Sequence, residues 1–302
     1  MTFRRLVSNY LTRRSIRLHR SRIGWRAAPR YTRYLKRCQD QAPVAVQAAP
    51  AVAKAAAEFR DVGIASFWTE RTEHVANAVA ANIAAREAAG ENIWSNGEDM
   101  VGNYRGDAWR DFPAFAELFA GDLGDFLKLY YGSHFKILYG TLYRSVNAGA
   151  RQASQLWHSD SGPGICVNVM FYLHQTTPQH GTLEALDWQS SLEIYDREKV
   201  AEFRGELDRY EGTRRDRICA FYDEVIGKGY RDRIRRPCGP AGLVVPFLNN
   251  VLHRGGYPDP GHMRTAIVFH CYPSHRATDL ERYGRLGITK TVPYPQDPAA
   301  EF

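Results

Sequence analysis

The chain has 302 residues, 44% of them apolar and 24% charged. That is enough for one large domain with a substantial core, and it excludes a disordered or fibrous protein. No stretch approaches the roughly 18 apolar residues a transmembrane helix needs. The five scattered cysteines form no CxxC or Cys/His cluster, so neither a disulfide framework nor a structural zinc site is expected, and a reducing, cytoplasmic setting is.

The formal net charge of +7 averages two unlike parts. Residues 1 to 38 hold twelve of the 40 Lys and Arg and none of the 33 Asp and Glu, leaving a mildly acidic remainder. Residues 1–40 therefore read as a basic arm. Its positive region is not followed by the apolar run of roughly 7–15 residues that a secretory signal requires, while an Arg-rich, acid-free composition also suits an organelle transit peptide. Phe3, Leu6, Tyr10 and Leu11 fall on one face of a helix. This favours peripheral association with an anionic membrane, at its inner face, over nucleic acid; a solvated arm is the plainer alternative. Residues 41–57, rich in Ala, Pro and Val, read as a linker.

The body, 58–302, opens with a short strand expected within "FRDVGIASF". A helix follows, with Val75, Val79 and Ile83 at helical spacing and Gly90 as its stop. A second helical region spans 112–132. The period then changes. Over 135–146, Ile137, Tyr139, Thr141 and Tyr143 alternate with Leu138, Gly140 and Leu142, and further strands are expected at 164–173, 181–186, 241–253 and 264–272. The charged, helix-prone stretch 196–236 reads as a helical insertion beside the sheet, shaping the pocket as a lid. Helices followed by a run of strands predict a mainly β fold with flanking helices, of sandwich or jelly-roll type.

Within that frame stands "QLWHSDSG" at 155–162. On a strand, His158 and Asp160 point to one side and supply two ligands of a 2-His-1-carboxylate set, which leaves metal positions open. His253, at the end of an apolar strand, is the best-placed third ligand. Eleven residues later, past "YPDPG", Arg264 opens the next strand, and a hairpin of that length returns its guanidinium to His253, where it can grip a carboxylate. His270 is six residues further on, about 20 Å along the strand from Arg264, and is expected to be an ordinary core or rim histidine. Cys166 and Cys271 are expected to be inert core residues.

The ordered set "QLWHSD", "MFYLH…HGTLEAL" and "LHRGGYPDPGHMRTAIVFHCYPS" resembles the non-haem Fe(II)/2-oxoglutarate-dependent oxygenases, closest to the phytanoyl-CoA dioxygenase-like branch, over residues 58 to 276. The resemblance implies a double-stranded β-helix (jelly-roll, cupin-like) core. It further implies Fe(II) on His158, Asp160 and His253, and the distal carboxylate of 2-oxoglutarate on Arg264. Turnover would release succinate and CO2. The sequence departs from the pattern at Ala266, where relatives place Ser or Thr, so a second 2-oxoglutarate donor is sought among Tyr139, Tyr143, Asn168 and Thr182. "DWQSS" at 187–191 replaces the usual "PGSH", which argues against an acyl-CoA substrate and leaves a small-molecule or lipid-linked one. Asp160 stands where related halogenases carry Ala or Gly, so the resemblance implies hydroxylation or desaturation. Two alternatives stand beside it: a cupin-like metalloenzyme that does not use 2-oxoglutarate, and a non-catalytic β-sandwich binding module with a membrane-docking arm.

Overall fold

The computed structural model describes residues 29–95, 101–147, 149, 153–160 and 166–288; the apolar face expected at residues 3 to 11 lies outside them. The first described helix, α1 (Pro29–Gln41), falls within the expected arm, yet it is docked on the body. Tyr34 and Cys38, one turn apart, are buried. Tyr34 Oη donates to the carbonyl of Pro273 (3.2 Å), and Gln39 Nε2 donates to that of Tyr131 (2.9 Å). The expected linker is also corrected, because residues 50–57 belong to helix α2 (Pro50–Val62). Val52, Ala55, Ala56 and Phe59 bury one face at helical spacing, Pro50 begins the helix and Gly63 ends it at φ 75°. The strand expected at 59–67 is accordingly reduced to two isolated bridges, Ile64 to Phe247 and Phe67 to Val244.

Helix α3 (Glu70–Ala88) begins at a reciprocal cap, in which Thr69 Oγ1 accepts from Thr72 N and Thr72 Oγ1 accepts from Thr69 N. The helical region at 112–132 divides at Gly121 into α5 (Ala114–Ala120) and α6 (Asp122–Tyr131), preceded by the single turn α4 (Ala108–Asp111). These helices cover one face of a five-stranded antiparallel sheet. Its strands, in spatial order, are β1 (Val101–Asn103), β2 (His134–Val146), β7 (Met263–Ser274), β3 (Val167–Tyr172) and β5 (Val244–Leu248). Phe115, fully buried, packs edge-on against Phe171 and Phe269 across that layer.

One irregularity decides what the other face carries. The β2–β7 register shifts between Ile137 and Tyr139. Before this bulge, Phe135 and Ile137 face the helices; beyond it, Leu142 does, and Tyr139, Thr141 and Tyr143 face away. The sequence places Ile137 with the three tyrosine and threonine residues, and the extra residue of the bulge is why it parts from them.

Facing the large sheet is a two-stranded one, β4 (Leu183–Ala185) with β6 (His253–Gly255), lengthened by single bridges at His158–His253 and Ala185–Arg235. The inserted helices lie behind it. They begin earlier than expected, as α7 (Trp188–Phe203) and α8 (Arg214–Gly229), and share a second apolar core with Trp157, Leu186 and Leu252. A last helix, α9 (Leu280–Leu286), closes the described chain. The antiparallel β core is present, but helical residues outnumber strand residues, so "mainly β" describes the site's scaffold rather than the chain. No helix among the described residues is long and apolar enough to cross a membrane.

Candidate metal centre

The strand expected at 241–253 breaks at a turn, in which Val251 N donates to the carbonyl of Leu248 (3.0 Å), so β5 ends before His253. Neither His158 nor Asp160 lies on a named strand. Both still sit on extended backbone antiparallel to 249–253: His158 and His253 exchange both backbone hydrogen bonds (3.0 and 2.9 Å), and Asp160 N donates to Asn249 O (3.0 Å). The alternation that the sequence invoked therefore operates through this pairing and delivers both side chains to one side.

The three side chains converge, with one ligand atom of each within 4.8 Å of the others. His158 Nε2 lies 3.7 Å from Asp160 Oδ1, and His253 Nε2 lies 3.7 Å from Asp160 Oδ2. Each imidazole turns Nδ1 to a carbonyl two residues back, Leu156 O (2.7 Å) for His158 and Val251 O (2.9 Å) for His253. That contact assigns the proton to Nδ1 and leaves the Nε2 lone pair aimed at the shared point. Burial, reinforced by the neighbouring His253, pushes His158 down to about 4, so its ring is neutral at physiological pH, as a ligand must be. Burial opposes the charge of Asp160, but the flanking histidines and the amide of Asn168 outweigh it and hold the carboxyl below its ordinary range. Asn168 Nδ2 donates directly to Asp160 Oδ2. Two imidazoles and one carboxylate, with no thiolate, form a donor set for a divalent metal.

The triad opens into a cavity of about 300 Å³ between the two sheets. At another part of its wall is Arg264, only 3% exposed. Its Nε has no hydrogen-bond partner, Nη1 reaches Gly256 O at 3.5 Å, and the guanidinium lies 5.6 Å from the centre of the Tyr143 ring. A Cβ on Gly255 would press on Nη2 at 2.9 Å, so glycine there leaves the guanidinium its place. The hairpin expected between His253 and Arg264 is corrected. β6 pairs with β4, and β7 lies between β2 and β3, so the two residues meet across the gap between sheets rather than along a ladder.

The other expected 2-oxoglutarate contacts divide. Tyr139, Tyr143 and Asn168 line the cavity. Asn168 is engaged by Asp160, and Tyr143 Oη donates to Met170 Sδ (3.1 Å). Thr182 is not among the lining residues; its hydroxyl faces Cys238 Sγ at 3.8 Å, because the strand parity that brings Leu183 inward turns Thr182 away. No residue of α7 or α8 lines the cavity either, which corrects the lid expectation. His270 was undervalued. It is buried, lines the cavity, and stacks on Tyr139 at 4.0 Å between ring centres. Its distance from Arg264 is no bar, since it shares that residue's face of β7 and pairs in register with Asn168. The even spacing 264–268–270 was the signal available in the sequence.

No family model matches the sequence, and no curated protein matches it. Among solved structures, the chain is similar to EctD from S. alaskensis with 2-oxoglutarate and 5-hydroxyectoine (18% identity, 77% of this chain and 80% of that one, TM-score 0.49). It is similar also to the non-heme alpha ketoglutarate dependent carbocyclase SnoK from nogalamycin biosynthesis (18%, 72% and 82%, TM-score 0.48). A third is HygX from Streptomyces hygroscopicus with nickel and 2-oxoglutarate bound (13%, 74% and 88%, TM-score 0.48). All three scores fall below 0.5, and the chemistry of this chain rests on its own residues: a His-Asp-His group that could hold a metal, beside a buried guanidinium.

Proposed function

We propose that the chain is an Fe(II)- and 2-oxoglutarate-dependent oxygenase that hydroxylates or desaturates a small-molecule or lipid-linked substrate, on a jelly-roll core formed by the two facing sheets. One observation carries the reading: the cavity that holds the triad also holds Arg264, a buried guanidinium whose Nε lacks a partner. A metal site whose substrates carry no anionic group would have no use for a buried cation in the same chamber. A dicarboxylate cosubstrate needs one, because two parallel charge-assisted hydrogen bonds fix its far end while its 2-oxo acid end faces the metal.

In this reading His158, Asp160 and His253 hold Fe(II), and Asn168 keeps Asp160 turned toward it. When bound, iron and 2-oxoglutarate together supply the oxidising chemistry, with succinate and CO2 as coproducts. Arg264 anchors the cosubstrate, and the Tyr143 ring beside it gives the guanidinium an apolar flank. Phe247, 4.8 Å from the His253 ring, shields that ligand from water. The test is succinate release from 2-oxoglutarate, with and without Fe(II), for the wild type and Arg264→Ala. Turnover by the wild type that needs iron and is lost in the variant supports the reading; equal turnover in both rejects the role of Arg264, and no wild-type turnover across a substrate panel rejects the activity.

A further inference from the structure

The inserted helices stand behind the metal centre, and three tethers tie them to the turn that carries His253. Tyr195 Oη donates to Asn250 O (2.6 Å), Leu252 N donates to Ser191 Oγ (2.9 Å), and Arg254 Nη1 donates to Asp223 Oδ1 of α8 (3.1 Å). Arg254 also donates from Nε to Glu184 Oε2 (2.7 Å). Its guanidinium carbon lies 4.7 Å from the centre of the Trp157 ring. Trp157 is 1% exposed and Arg254 8%.

The order of residues gives this cluster its meaning. Trp157 immediately precedes His158, and Arg254 immediately follows His253. Successive residues on extended backbone face opposite ways. Where the two histidines point forward into the cavity, the tryptophan and arginine point backward, on the rear of the same pair of backbones that exchange hydrogen bonds at 3.0 and 2.9 Å. The front pair is a candidate ligand pair and the rear pair is a stacked clamp. Only a planar guanidinium can stack on the indole and, from the same group, reach Glu184 and Asp223.

We propose that Trp157 and Arg254 are positioning residues that set metal affinity from behind, and that the inserted helices are a buttress for this clamp. The proposal rests on the metal-binding reading given above. It predicts that breaking the clamp loosens the His158–His253 pairing and spreads the two Nε2 atoms, although neither residue touches the metal.

The test is Co(II) titration of the full chain, followed by its d–d absorption bands, for the wild type, Arg254→Met, Arg254→Lys and Arg235→Met. The last breaks a more exposed ion pair, to Glu58 (2.6 Å, side chains 40% and 41% exposed), that is not part of the clamp. Arg254→Met is expected to weaken Co(II) binding by about tenfold or more, the range found when groups supporting metal ligands are removed, and to shift the bands. Arg254→Lys should recover only part of the affinity, and Arg235→Met should match the wild type. Asp223→Asn, at a side chain 68% exposed, should give a smaller loss in the same direction and serves if Arg254→Met does not fold. Affinity and bands unchanged in Arg254→Met, or in Asp223→Asn where that variant stands in, would overturn the proposal. A wild type that binds no Co(II) would overturn the metal reading itself, a separate outcome because it needs no variant.

Discussion

Replacing Arg264 by methionine should stabilise the protein without ligand and abolish its stabilisation by 2-oxoglutarate. The two effects have opposite signs, and both follow from burial. In the folded chain the guanidinium is 3% exposed, Nε is unpartnered, and no carboxylate among the described residues pairs with it. Burying a charge costs several kcal/mol, and exchanging buried ionic groups for apolar ones of similar size is often stabilising by about 1–4 kcal/mol. Against this, the variant loses the Tyr143 contact at 5.6 Å, worth about 0.5–2 kcal/mol, and a 3.5 Å bond to Gly256 at the limit of hydrogen bonding. Relief of the buried charge wins by about 1–2 kcal/mol, which for a chain of this size raises Tm by about 2–3 °C.

Saturating 2-oxoglutarate should reverse the order. At a ligand concentration about 100 times Kd, the wild type gains about 2.7 kcal/mol, and the variant, without its carboxylate grip, gains far less. Differential scanning calorimetry under anaerobic conditions with Mn(II) measures all four states. An Arg264→Met protein less stable than the wild type without ligand would refute the reading of Arg264 as an uncompensated charge. Equal ligand-induced shifts in both proteins would refute its role as the cosubstrate anchor.

Three further outcomes follow from named contacts. Asn168→Leu removes the amide that holds Asp160 Oδ2 and should raise the Kd for Mn(II) by about 10–100-fold in a calorimetric titration, with Tm little changed. Burial pushes the Glu198 carboxyl up, despite the hydrogen bond from Tyr222, so the folded state binds this proton more tightly than the unfolded one. Its contribution is therefore fully present below the ordinary carboxylate pKa of about 4.3 and is lost as pH rises through the raised value; Glu198→Gln should narrow the fall in Tm between about pH 5 and about pH 8. Finally, extending a deletion from residues 1–28 to 1–41 should cost about 3 kcal/mol or more in urea unfolding, since that step removes buried Tyr34 and Cys38 and the bonds to Pro273 and Tyr131.

The candidate ligand set was legible because it depends on residue type, order and a period of two. His158, Asp160, His253 and Arg264 needed only strand-like backbone and a facing partner, and both are present. What was not legible depends on breaks in that period. The bulge after Ile137 leaves no mark in "FKILYGTLY", since Leu138 suits either face. The turn at Asn249 divides an apolar run that reads as one strand, and it redirects β6 to β4 instead of β7. Residues 50–57 of helix α2 read in sequence as linker because alanine is uninformative about burial, although Val52 and Phe59 frame a helical face. The place of His270 is hidden along its own strand, six residues from Arg264. The relevant distance ran across strands, to Asn168 and the triad beyond it.

In sequence, "WHSD" and "LHRG" stand out as carriers of ligand-capable histidines. On extended backbone each such dipeptide specifies two faces at once, and the rear residues are as constrained as the front ones. Trp157 is among the largest fully buried side chains, and Arg254 is buried in contact with two carboxylates and an indole. The charged stretch 196–236 reads in sequence as an insertion beside the sheet that serves as a lid. Its helices instead offer Asp223, Tyr195 and Ser191 to the rear of the 249–254 turn and leave the cavity wall to the strands. The insertion thus meets the candidate metal site from behind, through the backbone that carries His253, and none of its residues lines the cavity.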